Sequence, residues 1–416
     1  MIEIVLQINY NIIINIKEGI VILLKIDLPE YVLKIIDILN SNGYEAYAVG
    51  GCVRDSLLNR SPKDWDITTN ADVNMIKELF DKTFDTGLKY GSVTVLMDKS
   101  PCEVTTYRID GVYKDARRPE SILPAMTIEE DLKRRDFTIN ALAYNPKKGL
   151  IDICGGINDL RNRLIRTCGD AKTRFNEDAL RIIRAFRFAC ELDFNIEEKT
   201  LKEAKINAVL IDKISAERIQ KELDKILIAQ KPKNLKLLIK TGALNRFLPC
   251  KTDLFPDLKS LPAERNVRLY TFMLYVFKNN TEEIQKALRA LKYDKRTISG
   301  AKPFISACTD ELKAQGYEMR KALYSYGKKT VLCALYAKKC LFDASISKQI
   351  DIIKKIEKSR ECINKKELAV KGNDLYSLGI EGEKTGKVIN ALMEEVLKNP
   401  AFNSKEKLLE LAKNLL

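Results

Sequence analysis

Tyr47–Asn70, YAVGGCVRDSLLNRSPKDWDITTN, decides how the rest of the chain is read. It reads as a strand, a pair of glycines, a short helix, then a second strand carrying two aspartates. Gly50 and Gly51 let the backbone turn sharply and come close to a ligand. The helix after them points its free N–H groups at the turn, where phosphate is the usual guest. Asp64 and Asp66 are two residues apart in a strand-like run, which places both carboxylates on one face. Paired carboxylates beside a phosphate cradle suit Mg²⁺ and in-line phosphoryl or nucleotidyl transfer. Either half alone also fits a plain Gly-Gly turn or a solvated acidic edge. The two at this spacing point to chemistry.

The composition narrows that chemistry. At 416 residues the chain is expected to divide into about two to four domains. Its net charge of +14 points to a polyanionic partner, with a generally lysine-rich sequence as the alternative. There is no histidine, which excludes Ser-His-Asp triads, His-Asp phosphohydrolase sites and histidine general bases. The ten cysteines are scattered and none forms a C-x-x-C pair. They read as reduced, small apolar residues of a cytoplasmic protein. Residues 1–26, rich in Ile and Asn, lack the marks of a signal peptide, and Asn9, Asn11, Asn15, Lys17 and Glu18 interrupt any membrane span. They read as a non-essential extension or an over-long start, with an edge strand or hairpin as the alternative.

Working onward, LPEYVLKIIDILNSNG predicts a helix, with Pro29 at its start and Gly43 at its C-cap. VNMIKELF predicts another helix, and GSVTVLM and CEVTTYR predict strands. A small mixed sheet with helices on one side fits this order. DGVYKDARRPESI has no period and reads as a mobile loop. From Ile128 the pattern turns helical, so the first 150 residues read as α/β and the remainder as all-α. Pro256 and Pro262 suggest a joint.

Three further groups carry candidate chemistry. Glu103 is the best third carboxylate facing Asp64 and Asp66, although it also fits a strand edge. Arg54 and Lys63 flank the pair and can balance phosphate charge. In Glu130–Asn140, Arg135 with Asp136 suits a phosphate and ribose clamp, against the ordinary reading of a salt-bridged helix face. In Glu177–Arg187, a helical period of ~100° puts Glu177, Arg181 and Arg184 on one face with Asp178 at its edge. Asp178 and Arg181 can read a base edge, the carboxylate accepting from an amine and the guanidinium donating to a ring nitrogen or carbonyl. Such a pair accepts cytosine and adenine and rejects guanine and uracil, whose donors and acceptors are reversed. Arg184 and Arg187 would extend the stripe toward triphosphate or RNA. Helix-stabilising ion pairs are the alternative for the whole group.

GGCVRD with KDWDITT, then DTGLKYGSVTV, CEVTTYRIDGVYKDARRPES, DLKRRDFTINALAYN and RFNEDALRIIRAFRF, in that order, resemble the class II tRNA nucleotidyltransferases. These are the bacterial CCA-adding enzymes, close relatives of bacterial poly(A) polymerases. The resemblance is strong over about residues 28–230 and moderate over 360–412, where LAVKGNDLYSLGIEGEKTGKVINALMEEVLKN looks like the family's RNA-binding end. It implies an α+β fold: after the 1–26 extension, a nucleotidyltransferase head (27–160), then an all-α neck (161–230), body (231–300) and tail (301–416). It implies addition of C, C and A to tRNA from CTP and ATP without a nucleic-acid template, with no membrane and no obligate protein partner. By motif, Gly51, Arg54 and Arg135 would bind the nucleotide, and Asp64 and Asp66 would hold Mg²⁺. Asp178 and Arg181 would template the base, with Arg184 and Arg187 beside them. The loop Asp110–Glu120 resembles the loop that helps switch from C to A addition. Tyr90 stands where the family often has histidine. A poly(A) polymerase, an A-only adding enzyme and an inactive RNA-binding scaffold remain alternatives.

Overall fold

A computed structural model of the chain describes residues 25–110, 122–249 and 255–414. Residues 1–24, the proposed switching loop past Asp110, and Cys250 lie outside the described residues. Two compact units divide at Arg246 and Phe247. Pro256 and Pro262 fall just past that division.

The first unit begins with α1 (Glu30–Ser41), β1 (Ala46–Val49), α2 (Gly51–Leu57), β2 (Asp66–Thr69) and α3 (Val73–Leu79). Strands β3 (Thr83–Gly87), β4 (Ser92–Met97), β5 (Ser100–Thr106), β6 (Arg108–Asp110) and β7 (Ile122–Pro124) follow. Then come α4 (Ile128–Lys133), β8 (Leu142–Asn145), β9 (Gly149–Asp152), α5 (Gly156–Arg161), β10 (Leu164–Ile165), α6 (Ala171–Glu177) and α7 (Leu180–Leu192). It closes with β11 (Asn195–Ile196), α8 (Glu198–Ile206), α9 (Ala216–Ile228) and α10 (Leu235–Lys240).

Seven strands form one mixed sheet in the order β3-β4-β5-β2-β1-β8-β9. Its single parallel pair is β2 with β5, and the register sets Asp66 beside Glu103. The strand period of two is visible along β1. Ala46 and Ala48 face a large core shared with α1, α2, α3 and the α7 residues Ala185, Phe188, Ala189 and Leu192. Tyr47 and Val49 face a smaller cluster with Ile128 and Leu132 of α4, Tyr107, Ala141, Ala143 and Cys168. The expectation of helices on one side is thus corrected: α4 covers the opposite face. Ile26, assigned to the extension, belongs to the head core.

The sheet also continues past Ile128, contrary to the helical reading of that region. β8 is buried on both faces, so its apolar run lacks the alternation that marks a half-exposed strand. The short parallel pair β10–β11 lies beyond it.

The second unit is helical: α11 (Arg265–Phe277), α12 (Thr281–Ala290), α13 (Lys295–Thr309), α14 (Gly316–Tyr326), α15 (Lys328–Phe342) and α16 (Ser347–Lys358), then α17 (Gly372–Tyr376), α18 (Glu383–Lys398) and α19 (Lys405–Lys413). Leu375, Leu392, Val396 and Leu408 anchor the core around α17, α18 and α19. Among the described residues, no helix is long and apolar enough to cross a membrane.

Candidate active site

The turn between β1 and α2 requires glycine at Gly50, whose φ is 79°. A Cβ there would stand 3.0 Å from Arg135 Nη1, so the guanidinium lies directly over the turn. The chain returns to this place from β2, β5 and the segment after α4.

Asp64 lies in the bend before β2 and not in the strand, but alternation about the buried Trp65 still leaves Asp64 and Asp66 both exposed. Glu103 on β5 is the register partner of Asp66. Water reaches Asp66, yet protein surrounds much of it. That desolvation, then the Glu103 charge, raise its carboxyl to about 6; Arg135 pulls the other way and Asp64 adds to the rise. Asp66 thus sits between two repelling carboxylates and one guanidinium. Among the described residues, no three acidic or cysteine side chains already form a metal cage.

Arg135 is held from behind by Asp131, at 3.1 Å between Nη2 and Oδ2. Its Nε is buried with no hydrogen-bond partner. Burial opposes the Asp131 charge, but Arg135 and then Arg134 outweigh it and keep that carboxyl below its ordinary range. Arg54 is buried against Asp55 and donates from Nη1 to Asn140 Oδ1 at 2.6 Å. The sequence thus placed Arg54 at the turn correctly, but its guanidinium braces the floor of the site.

Asp136 does not pair with Arg135 as a clamp. It accepts from the Phe137 N–H and Asn140 Nδ2, and from Arg184 Nε at 2.9 Å. Burial works against its charge, but Arg184 and Asn140 dominate and depress its carboxyl far below the usual range. Both of its oxygens are already held by protein donors.

The helix expected through Glu177–Arg187 is two helices. Asp178 adopts an extended backbone between α6 and α7, and its Oδ1 accepts from the Leu180 N–H at 3.1 Å. Its other oxygen accepts from Arg218 Nη2 of α9 at 2.7 Å. Arg181 crosses the break to Glu177 at 2.5 Å and donates to the Arg134 carbonyl. Arg187 is buried over the Phe188 ring at 3.8 Å, between Glu191 at 2.7 Å and Glu222 at 2.5 Å. It is therefore buried inside the protein.

Sequence reasoning missed Asp131, Asn140, Arg218 and Glu222. One signal was readable: Glu222 falls in the apolar stripe Ile219, Leu223, Ile226 of α9, where an unpaired carboxylate would be costly. Lys63 has no resolved part in the site.

A seven-stranded mixed sheet with acidic residues on its one parallel pair and a glycine turn under an arginine defines a nucleotidyltransferase head. Family comparison agrees: a model of the poly A polymerase head domain matches residues 46–166. Models of the polymerase A RNA and SrmB-binding site and of tRNA nucleotidyltransferase domain 2 match 193–255 and 262–412. The CCA-adding enzyme of Ligilactobacillus salivarius is 37% identical over 398 residues, covering 92% of this chain and 96% of that protein. That of Enterococcus faecalis is 36% identical, covering 90% and 93%. Among solved structures, the Bacillus stearothermophilus CCA-adding enzyme in complex with CTP has a TM-score of 0.80 at 32% identity, covering 92% of this chain and 98% of that one. The chain belongs to the CCA-adding enzymes.

Proposed function

We propose that the chain adds C, C and A in turn to the 3′ end of tRNA, from CTP and ATP, with no nucleic-acid template. The observation that carries this reading is Arg135, with its buried, unpartnered Nε, over the Gly50 turn and beside Asp66 and Glu103. A triphosphate at the Gly50 turn would meet the Arg135 guanidinium through Nη1, which lies there. Asp64 and Asp66 would hold Mg²⁺, which fits their unrelieved repulsion and the habit of Mg²⁺ of taking one or two carboxylates plus substrate phosphates. When bound, the metal lowers the pKa of an attacking 3′-hydroxyl and neutralises phosphate charge. Glu103, in register with Asp66, would be the third carboxylate facing the pair, and Gly51 would let the phosphates approach the backbone.

Asp178 and Arg181 would read the base. Both are engaged, by Arg218 and Glu177, so a base meets a carboxylate and a guanidinium already fixed in place. Arg184 steadies this region through Asp136, and Arg54 and Arg187 act as internal braces. The helical second unit would grip tRNA, with affinity falling steeply as salt rises. Free cysteines suit a reducing, cytoplasmic setting.

The test is incubation with tRNA ending before the first C, before the second C or before the A, with labelled CTP or ATP. Three additions followed by a stop support the reading. A long A tail on arbitrary RNA would make it a poly(A) polymerase, and activity only on tRNA already ending in CC would make it an A-adding enzyme.

A further inference from the structure

One half of the sheet is covered on both faces and the other half is open on one. Along β4 and β5, Val93, Val95, Cys102 and Val104 belong to the head core. By alternation, Thr94, Glu103 and Thr105 face the other way. Register carries that face across the sheet, from Ser92 to Thr105, Thr68 and Tyr47. It is the face that α4 covers, yet the cluster beneath α4 takes its strand residues from β1, β8 and β9. Among the described residues it includes none from β3, β4 or β5.

Four residues line up across this face: Asp66 of β2, Glu103 of β5, Thr94 of β4 and Phe84 of the edge strand β3. The Phe84 residue is 54% exposed. Hydroxyls floor the strip, Thr86 with Thr94 and Ser92 with Thr105, each pair 2.7 Å apart. A single exposed aromatic needs no explanation in itself. Its place in one row with the candidate metal ligands is what gives it a use.

We infer that the open half-sheet of β3, β4 and β5 is the track for the RNA 3′ end, with Phe84 the platform on which a base upstream of the terminal nucleotide stacks. This rests on the reading that the chain extends an RNA 3′ end.

The order of the strands supplies the argument. In-line transfer puts the attacking and leaving oxygens on opposite sides of the phosphorus. The Gly50 turn, where the triphosphate would lie, follows β1, on one side of Asp66 and Glu103. The attacking hydroxyl then arrives from the other side, over β4 and β3. Three strand spacings, on the order of 14 Å, separate Asp66 from Phe84. The terminal nucleotide fills that interval, and Phe84 meets a base behind it. Every base has a π-face, so one ring serves C and A alike as the end grows. The hydroxyl floor lets phosphates pass without adding negative charge beside the carboxylates.

The experiment measures equilibrium binding of the full chain to tRNA ending in CC, without nucleotide, and repeats it with an abasic residue at each of the last three positions. Removing one base upstream of the terminal one should weaken binding by roughly tenfold. In Phe84→Ala, intact tRNA should bind more weakly by a similar factor and that abasic penalty should vanish; Phe84→Trp should restore both. Leu88→Ala, which trims an exposed side chain from the β3–β4 turn outside the row, should change neither. The thermal midpoint checks folding, and if Phe84→Ala lowers it, Phe84→Thr keeps a strong strand former at the edge and takes its place. An abasic penalty that survives loss of the ring, or one confined to the terminal base, would overturn the assignment. Binding involves no chemistry, so the same coupling in a chain that adds neither C nor A would support the platform and overturn the proposed function instead.

Discussion

The head and the neck use charge in opposite ways. At the β2–β5 pair, in the middle of the sheet, Glu103 and Asp64 both repel Asp66, Arg135 attracts it, and the Arg135 Nε lacks a partner. Along α7, charges are matched: Arg181 with Glu177, Arg184 with Asp136, Arg187 with Glu191 and Glu222, and Asp178 with Arg218 of α9. The first arrangement is incomplete until ligands arrive. The second sets each of these side chains against an opposite charge, which holds them in place before any ligand arrives. Chemistry needs unmet charge, and selection needs a fixed geometry.

The sharpest way to break this contrast is Asp66→Ala. Incorporation should fall by at least ~10³-fold in single turnover, while the thermal midpoint stays level or rises because repulsion is relieved. A large loss of stability would mean that the head site is also internally matched. Next, Glu222→Ala should cost about 3 kcal/mol in urea unfolding, since it strands part of a buried ion pair. An unchanged midpoint would remove the claim that the neck network is structural.

Asp178→Ala addresses selection. Discrimination of CTP and ATP against GTP and UTP should drop by roughly 100-fold, with smaller change in triphosphate affinity. Arg218→Gln should act in the same direction by about tenfold or less, because Asp178 keeps its place through the Leu180 N–H. If the two substitutions add fully in a double-mutant cycle, Arg218 does not position Asp178.

The smallest effect is a pH dependence. The Asp136 carboxyl is depressed in the folded chain, so its contribution to stability is present above the unfolded value of about 4 and is lost as pH falls below it. Asp136→Asn should flatten the acid limb of the stability curve between about pH 4 and 2, read as urea midpoints at each pH.

Sequence alone singled out the glycine turn, Asp64, Asp66 and Glu103, because each carries a local signal: a turn residue, or alternation in a strand. It also singled out Asp178, Arg181 and Arg184 as candidates. It did not see that Asp136 joins Arg184, or that α6 and α7 are separate, because those outcomes rest on contacts between distant segments. Arg184 and Asp136 are 48 residues apart, and Arg218 and Asp178 are 40. β8 was hidden for another reason: a central strand covered on both faces looks like any apolar run.

The single parallel pair also has a temporal consequence. Antiparallel neighbours can close through a short turn, but parallel ones need a crossover. Here α3, β3 and β4 stand between Asp66 and Glu103. The carboxylate edge cannot zip up as its residues leave the ribosome. Arg135 follows later still, and Arg184 emerges on the order of ten seconds after Asp66 at ordinary synthesis rates. The growing chain therefore exposes Asp64, Asp66 and Glu103 before Arg135, the cation that acts on Asp66, has been made. Completion of the head should be a late, non-local folding step, slower than formation of any one of its helices.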